Sequence, residues 1–452
     1  MSQYEPAIKL RDIRRFCSPR PLDEGELAAF FVETEAARDP NCDVRNCIKS
    51  TLDDAASPRH ILVYGHRGCG KSTELVRLAG ELGGGWLCVK FSVLEELPLI
   101  GVHAEEVLLS ITHQLIEAAR REKLQSMEQD ERLKKVGDWF KEVTITKDAG
   151  RDTQLELGAG AEASPGNWLL GLGNMFAKFS GEMKFRSSTQ TSIVEAVRKR
   201  PADLIEQINR LIESVQAALR PLERRLLIIV EDLDKLGIAD ARRVFIENNN
   251  LLTGLRANII YTIPIFTFYS PDADAMNAAF DAEYSLPMIK VSNPDGSRAT
   301  KGFEVVKEIV HRRVAKTAIE EAALDLLITK TGGVLRHVFE VLQTASSMTT
   351  LREPPIQKQH IEYALGRLKT NLGLQIALPH QKIDGVDNVE QLFDKLVEYA
   401  RLRTDPKKCS PTSEPIVQVL LQSCALVEYN GTRWLGVHPL VLELLKDLGK
   451  EV

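Results

Sequence analysis

The run Gly65-His66-Arg67-Gly68-Cys69-Gly70-Lys71-Ser72 satisfies the spacing G-x-x-x-x-G-K-[ST] without a mismatch. That spacing is the chemistry of a phosphate cradle. Its glycines let the backbone curl so that successive N–H groups face one anion, its lysine reaches the β- and γ-phosphates, and its hydroxyl ligates Mg²⁺. Lys71 and Ser72 are therefore candidate ligands of ATP and Mg²⁺, and Thr73 falls near the α-phosphate in the helix that follows. Such a cradle needs an acid from a neighbouring strand, and Leu226-Leu-Ile-Ile-Val-Glu231-Asp232-Leu-Asp234 supplies it. Of Glu231 and Asp232, one can hold the metal and the other orient or deprotonate the attacking water. The order Glu-then-Asp inverts the usual one, leaves the two roles open, and points to slow hydrolysis. Thr262, closing another apolar run, offers a hydroxyl to the γ-phosphate or the lytic water.

These groups meet only if strands bring them to one edge. Short apolar runs at Ile61–Tyr64, Trp86–Ser92, Leu226–Val230, Asn258–Ile263 and Leu286–Val291 predict buried parallel strands. Helical patterns at Ser72–Leu82, Ala104–Ala119, Ala202–Leu219 and Ala239–Leu255 alternate with them. The expected fold is α/β, a parallel sheet covered on both faces. Between the second and third strands the chain is far longer than a crossover requires, which predicts an insertion at about 123–200 with a small-residue loop at Gly158–Gly166. The expected organisation is an N-terminal helical or linker segment (1–58), the P-loop core (59–295), a helical lid (296–375) and a last unit (385–452). In that last unit Leu426–Leu435 predicts a hairpin, with Asn430-Gly431 in a type I′ turn.

Composition narrows the partners. Charged residues make up 27% of the 452, with a net charge of -5, so nothing pulls the whole chain toward nucleic acid. No run approaches the ~20 apolar residues of a membrane span and no signal-peptide core opens the chain, so a cytoplasmic protein without membrane contact is expected. Seven scattered cysteines have no metal-type spacing and read as reduced thiols.

Together, Gly65–Thr73, the Glu-Asp-Leu-Asp run at 231–234, the polar residue at 262 and Gly332-Gly333-Val-Leu-Arg336 resemble the AAA+ and STAND classes of P-loop ATPases. The likeness is greatest to their origin-recognition-like and KAP-type branch, covers roughly residues 35–350 apart from the insertion, and is one of class. It implies an ASCE/AAA+ sheet, a helical lid whose arginine (sensor 2) reaches the γ-phosphate, and a C-terminal winged helix. Arg336 matches the lid arginine. In STAND proteins a winged-helix histidine touches the β-phosphate of ADP, and His438 in Val437-His438-Pro439-Leu440-Val441 matches in part, with Pro439 replacing an acid. AAA+ assemblies also place an arginine finger before the fifth strand, where Phe280–Ser285 has none; Arg256, Arg312 and Arg313 are the fallback candidates.

The resemblance implies an ATP/ADP-driven switch that acts on a protein partner or as a homo-oligomer, in the manner of bacterial conflict and antiphage systems. The alternative is a DNA-handling ATPase of the origin-recognition or transposition type. Against it, the candidate recognition helix Glu414–Ser423 carries no Lys or Arg for phosphate contacts, although Arg433, Trp434, Lys407 and Lys408 lie nearby in sequence. A small-molecule kinase lacks a visible acceptor site. Adenine is expected because no guanine-reading Asn-Lys-x-Asp element is present.

Overall fold

The computed structural model describes residues 4–38, 43–54, 56–98, 100–144, 168–185, 194–348, 352–377, 386–402, 413–429 and 434–452. Five parallel strands form the central sheet: β1 (His60–Gly65), β2 (Trp86–Ser92), β3 (Arg225–Glu231), β4 (Asn258–Pro264) and β5 (Ala282–Ser285). Their order is β2-β3-β4-β1-β5. β1 is buried at every position, and β3 and β4 at all but their first, which is why these strands read as unbroken apolar runs. The register sets Ser92 opposite Glu231 and Gly65 opposite Pro264, so the loop after β1 and the acids after β3 emerge at one edge with β4 between them. Ligands of open parallel sheets bind at that edge.

Helices Lys71–Leu82, Ala104–Arg121, Pro201–Leu219 and Val44–Asp53 pack on β1, β2, β3 and β5 in turn. Within the inserted stretch, Glu131–Thr144 and Trp168–Phe185 lie against each other and against Ala104–Arg121 and Pro201–Leu219. Phe140 and Phe176 meet edge-on there, with ring centroids 4.9 Å apart. The loop expected at 158–166 and the turn at Asn430-Gly431 lie outside the described residues, as do Arg433, Lys407 and Lys408.

Two expectations are corrected. The fifth strand is Ala282–Ser285, not Leu286–Val291. Pro287 removes a ladder donor, and the chain turns away after Leu286 N–H donates to Tyr64 O at 2.8 Å; Met288 N–H then donates to Glu428 O at 3.2 Å. The helix expected over Ala239–Leu255 is broken into Ile238–Arg242, a wide turn at Arg243–Glu247, and Asn249–Thr253. Three consecutive asparagines, 248–250, weaken helix continuation there.

After the sheet come Thr300–His311, Glu321–Thr331, Leu335–Ser346 and Lys358–Ala377, then Val389–Leu402 and Pro415–Gln422. An antiparallel pair follows, β6 (Leu426–Tyr429) with β7 (Trp434–Val437), and the helix Pro439–Asp447 comes last. The N-terminal segment is fastened to this region: Ala7 N–H donates to Arg313 O at 2.8 Å and Ala315 N–H to Ala7 O at 3.0 Å. Among the described residues no helix is long and apolar enough to cross a membrane.

Gly333 joins the Glu321–Thr331 and Leu335–Ser346 helices with φ +80, and a Cβ there would stand 2.1 Å from Ile289 O. Gly333→Ala is expected to lower the unfolding free energy by about 2 kcal/mol or more, from strain plus a backbone clash. Chemical denaturation measures it; a change within about 0.5 kcal/mol would show that the junction yields freely.

Candidate nucleotide site

β1 delivers its last residue, Gly65, into a curl that side chains would block. A Cβ on Gly65 would stand 2.3 Å from Leu286 O, and one on Gly68 (φ +80) would stand 2.4 Å from Arg336 Cβ. The absence of a side chain at 68 therefore lets the Leu335–Ser346 helix start directly against the loop. Gly70, left-handed at φ 108, is the N-cap of the Lys71–Leu82 helix.

Inside the curl Lys71 is buried, and its ammonium donates to Gly65 O at 2.8 Å and His66 O at 3.0 Å and pairs with Asp234 Oδ2 at 2.8 Å. All three ammonium donors are thus used. Burial opposes the charge, but the facing Asp234 outweighs it and holds the ammonium above the ordinary lysine range. Asp234 closes the acidic run and has no assigned role in the sequence reading. Its signal was present, as the third acid of that run.

Glu231 ends β3. Burial raises its pKa, while Lys90, with Nζ 2.7 Å from Oε2, and the neighbouring Ser72 hydroxyl oppose that rise. Its Oε1 is buried with no hydrogen-bond partner. Asp232 adopts left-handed φ 69, accepts from Ser92 Oγ at 2.5 Å and pairs with Lys235 Nζ at 2.7 Å.

A cavity of about 170 Å³ opens beside the loop. Its polar wall includes Arg67, Lys71, Ser72, Asp232, Asp234 and Arg336. Arg67 Nη2 donates to Lys235 O at 2.8 Å, and Arg336 Nε donates to Glu340 at 3.0 Å. The opposite wall is apolar, made by Pro21, Leu22, Phe30 and Phe31 from the N-terminal segment and by Ile309 and Phe339 from the helical region. Thr73 ties the two sides, accepting from Leu22 N–H at 3.4 Å.

Two buried arginines fix this wall: Arg38, which the sequence reading does not single out, and Arg313, which it offers only as a fallback finger. Arg38 donates to Thr34 Oγ1 at 2.8 Å, to Cys69 O at 2.6 Å and to Pro287 O, pinning the N-terminal segment to the loop. Arg313 donates to Phe30 O at 3.1 Å and Ile309 O at 2.9 Å and lies over the Phe30 and Phe339 rings. Burial lowers its pKa to about 10. Nothing in the sequence marks an isolated arginine as buried. Of the fallback finger candidates, Arg313 is enclosed within its own chain and lines this cavity, Arg256 is exposed and pairs with Glu213, and Arg312 is half-buried and pairs with Glu308.

Three further residues stand elsewhere than expected. Thr262 is buried, does not line the cavity, and donates to Val230 O at 3.4 Å on the neighbouring strand. His438 is also outside the cavity: Pro439 starts a helix, so His438 caps it, accepting from Leu440 N–H at 3.2 Å, and its Nε2 meets His337 Nδ1 at 3.1 Å. His66, inside the phosphate motif, turns its ring away to accept from Glu428 N–H at 2.8 Å, with Nδ1 facing Cys424 Sγ at 3.9 Å.

His66 is buried, and burial with the nearby Lys71 charge pushes its pKa down to about 3. An unfolded histidine near 6.5 binds a proton that the folded ring refuses, so this contribution to stability is present above pH 6.5 and is lost as pH falls toward 3. His66→Gln should therefore flatten the fall in stability between pH 6.5 and 4 by up to about 1.4 kcal/mol per pH unit relative to the parent. Denaturant midpoints across that range test it; an identical slope refutes the buried neutral ring.

Residues 44–261 match the model of the KAP family P-loop domain. The HslU ATPase subunit of an ATP-dependent protease from Rhodopseudomonas palustris strain BisB18 is 24% identical over 258 residues, covering 50% of this chain and 58% of that protein. The chain thus spans little more than half the length of the curated relatives it matches. Among solved structures, the Walker-type ATPase PABY2304 of Pyrococcus abyssi aligns at 13% identity over 95% of this chain and 99% of its own, with TM-score 0.46. The Aeropyrum pernix ORC1 protein in complex with DNA aligns at 10% identity over 96% of each chain, with TM-score 0.39. The parallel sheet, the glycine-curled loop after its β1 strand and the match over 44–261 agree: this part of the chain is a P-loop NTPase domain, similar to that of the KAP family.

Proposed function

We propose that the chain binds ATP with Mg²⁺ in this cavity, hydrolyses it slowly, and uses the change of state to bias the helical lid and C-terminal unit as a switch acting on a protein partner. The observation that carries the reading is the convergence of Lys71, Ser72, Asp232, Asp234 and Arg336 on one cavity, with Glu231 behind its edge beside Ser72. In this reading Lys71 exchanges a present partner for phosphate oxygens, Arg336 adds positive charge from the lid, and the apolar wall of Leu22, Phe30, Phe31, Ile309 and Phe339 takes the base.

The metal site fits Mg²⁺. One carboxylate with an unpartnered buried oxygen, Glu231, stands beside one hydroxyl, Ser72, a small donor set of the kind that leaves other positions to phosphate and water. Bound there, Mg²⁺ would neutralise charge on the phosphate oxygens. Glu231 takes the metal side because it touches Ser72; Asp232 takes the water side. Both Asp232 oxygens are already engaged, by Ser92 and Lys235, which supports slow turnover. The HslU relatives are named as ATPase subunits, which also supports hydrolysis.

The DNA-reading alternative is disfavoured by the Pro415–Gln422 helix. Val417 to Leu421 are buried, and Gln418 donates to Tyr269 O at 3.1 Å, so the helix is committed to the core.

Lys71→Ala is expected to weaken binding of a fluorescent ATP analogue by about 100-fold or more without loss of fold, and unchanged binding overturns the proposal. Asp232→Asn should retain binding while slowing phosphate release by about 100-fold. If Glu231→Gln alone does so, the two roles are exchanged.

A further inference from the structure

Each carboxylate of the run that closes β3 has its own lysine. Lys90 Nζ lies 2.7 Å from Glu231 Oε2, Lys235 Nζ 2.7 Å from Asp232 Oδ1, and Lys71 Nζ 2.8 Å from Asp234 Oδ2. Lys71 belongs to the phosphate motif and Lys235 lines the cavity, but Lys90 does neither. It stands on β2, an edge strand, two residues before Ser92.

The Lys90–Glu231 pair is asymmetric. The Glu231 side chain is 7% exposed and that of Lys90 is 31% exposed. A buried carboxylate without a counter-charge is costly, and Lys90 offsets that cost at one oxygen while Oε1 stays unpartnered. A divalent cation on this carboxylate would supply twice the charge and would repel the ammonium beside it. The lysine has somewhere to go, because its partly exposed stem can carry the ammonium into solvent. Glu231 has no such freedom, buried at a strand end beside Ser72.

We propose that Lys90 is a positioning residue that holds Glu231 in place of the metal and releases it when metal and nucleotide arrive together, thereby setting the Mg²⁺ concentration at which the site fills. This rests on the nucleotide-site reading above. Lys90 is then an internal competitor: metal alone must displace it, whereas metal carried by nucleotide gains the phosphate contacts as well.

The test is an Mg²⁺ titration of the full chain at fixed fluorescent ADP analogue, with a parallel measurement in EDTA. For Lys90→Met the half-saturating Mg²⁺ should fall on the order of tenfold, with EDTA-state affinity unchanged. Its melting temperature should lie below the parent's in EDTA and approach it once Mg²⁺ and ADP are added. Lys90→Arg, whose planar guanidinium grips a carboxylate through two parallel bonds, should instead raise the Mg²⁺ requirement, so the proposal stays testable if the methionine variant does not fold. Equal Mg²⁺ dependence in parent and variants overturns the role of Lys90 while leaving the nucleotide site standing. No nucleotide binding by the parent at any Mg²⁺ concentration overturns both.

Discussion

The architecture of this site depends on a buried ammonium. Lys71 lies in the core with its three donors spent on two carbonyls of its own loop and on Asp234, and a charge in that position persists only when fully paired. The carbonyls of Gly65 and His66 can turn inward because the loop curls, and the curl exists because Gly65 and Gly68 leave room for Leu286 and Arg336. Asp234 arrives from β3 across the intervening β4, so the parallel register of three strands sets the distance between acid and lysine. The sheet is thereby a ruler for the electrostatics at its edge.

From that point the connections run outward through buried polar groups. Arg38 anchors the N-terminal segment on Cys69 O, next to the lysine. On the other side His66 accepts from Glu428 N–H, Glu428 accepts from Tyr269 Oη at 2.5 Å, and Tyr429 Oη donates to Gly332 O at 3.1 Å. His337, adjacent to Arg336, meets His438. Such contacts favour one relative arrangement of loop, lid and β6–β7 pair over apolar alternatives of similar area, because a misplaced partner leaves a buried polar group unpaired. A phosphate that rearranged the loop would therefore be felt at the C-terminal unit through His66.

The sheet strands with strong apolar runs were legible in the sequence because burial on both faces removes polar residues from β1, β3 and β4. The phosphate loop was legible because its geometry demands particular residues at fixed spacing. Ala282–Ser285 was not legible: a four-residue edge strand half-exposed at every position carries no hydrophobic pattern, while the apolar segment after it belongs to a different packing surface. The burial of Arg38 and Arg313 was invisible for another reason. Their burial is created by distant segments folding over them, and an arginine in a sequence carries no mark of that. His438 and Thr262 differ in the opposite sense: each has a local partner in this structure, a helix N–H and a strand carbonyl, that the sequence does not show.

The inverted order of the acids follows from the backbone. Residue 232 takes a left-handed conformation with φ 69 as the chain leaves β3, a region that Asp enters more readily than Glu because its short carboxylate can bond locally. With Asp at that turn, the carboxylate facing Ser72 must come from position 231, still within the strand. The extra methylene of Glu231 extends it toward Ser72 on one side and Lys90 on the other. The same exchange shortens the acid at position 232 and leaves it bound to Ser92 and Lys235. A backbone preference at one residue thus links the reversed motif to the slow turnover proposed for it: in the water-side role proposed for Asp232, the carboxylate would have to break two existing contacts before acting on a water.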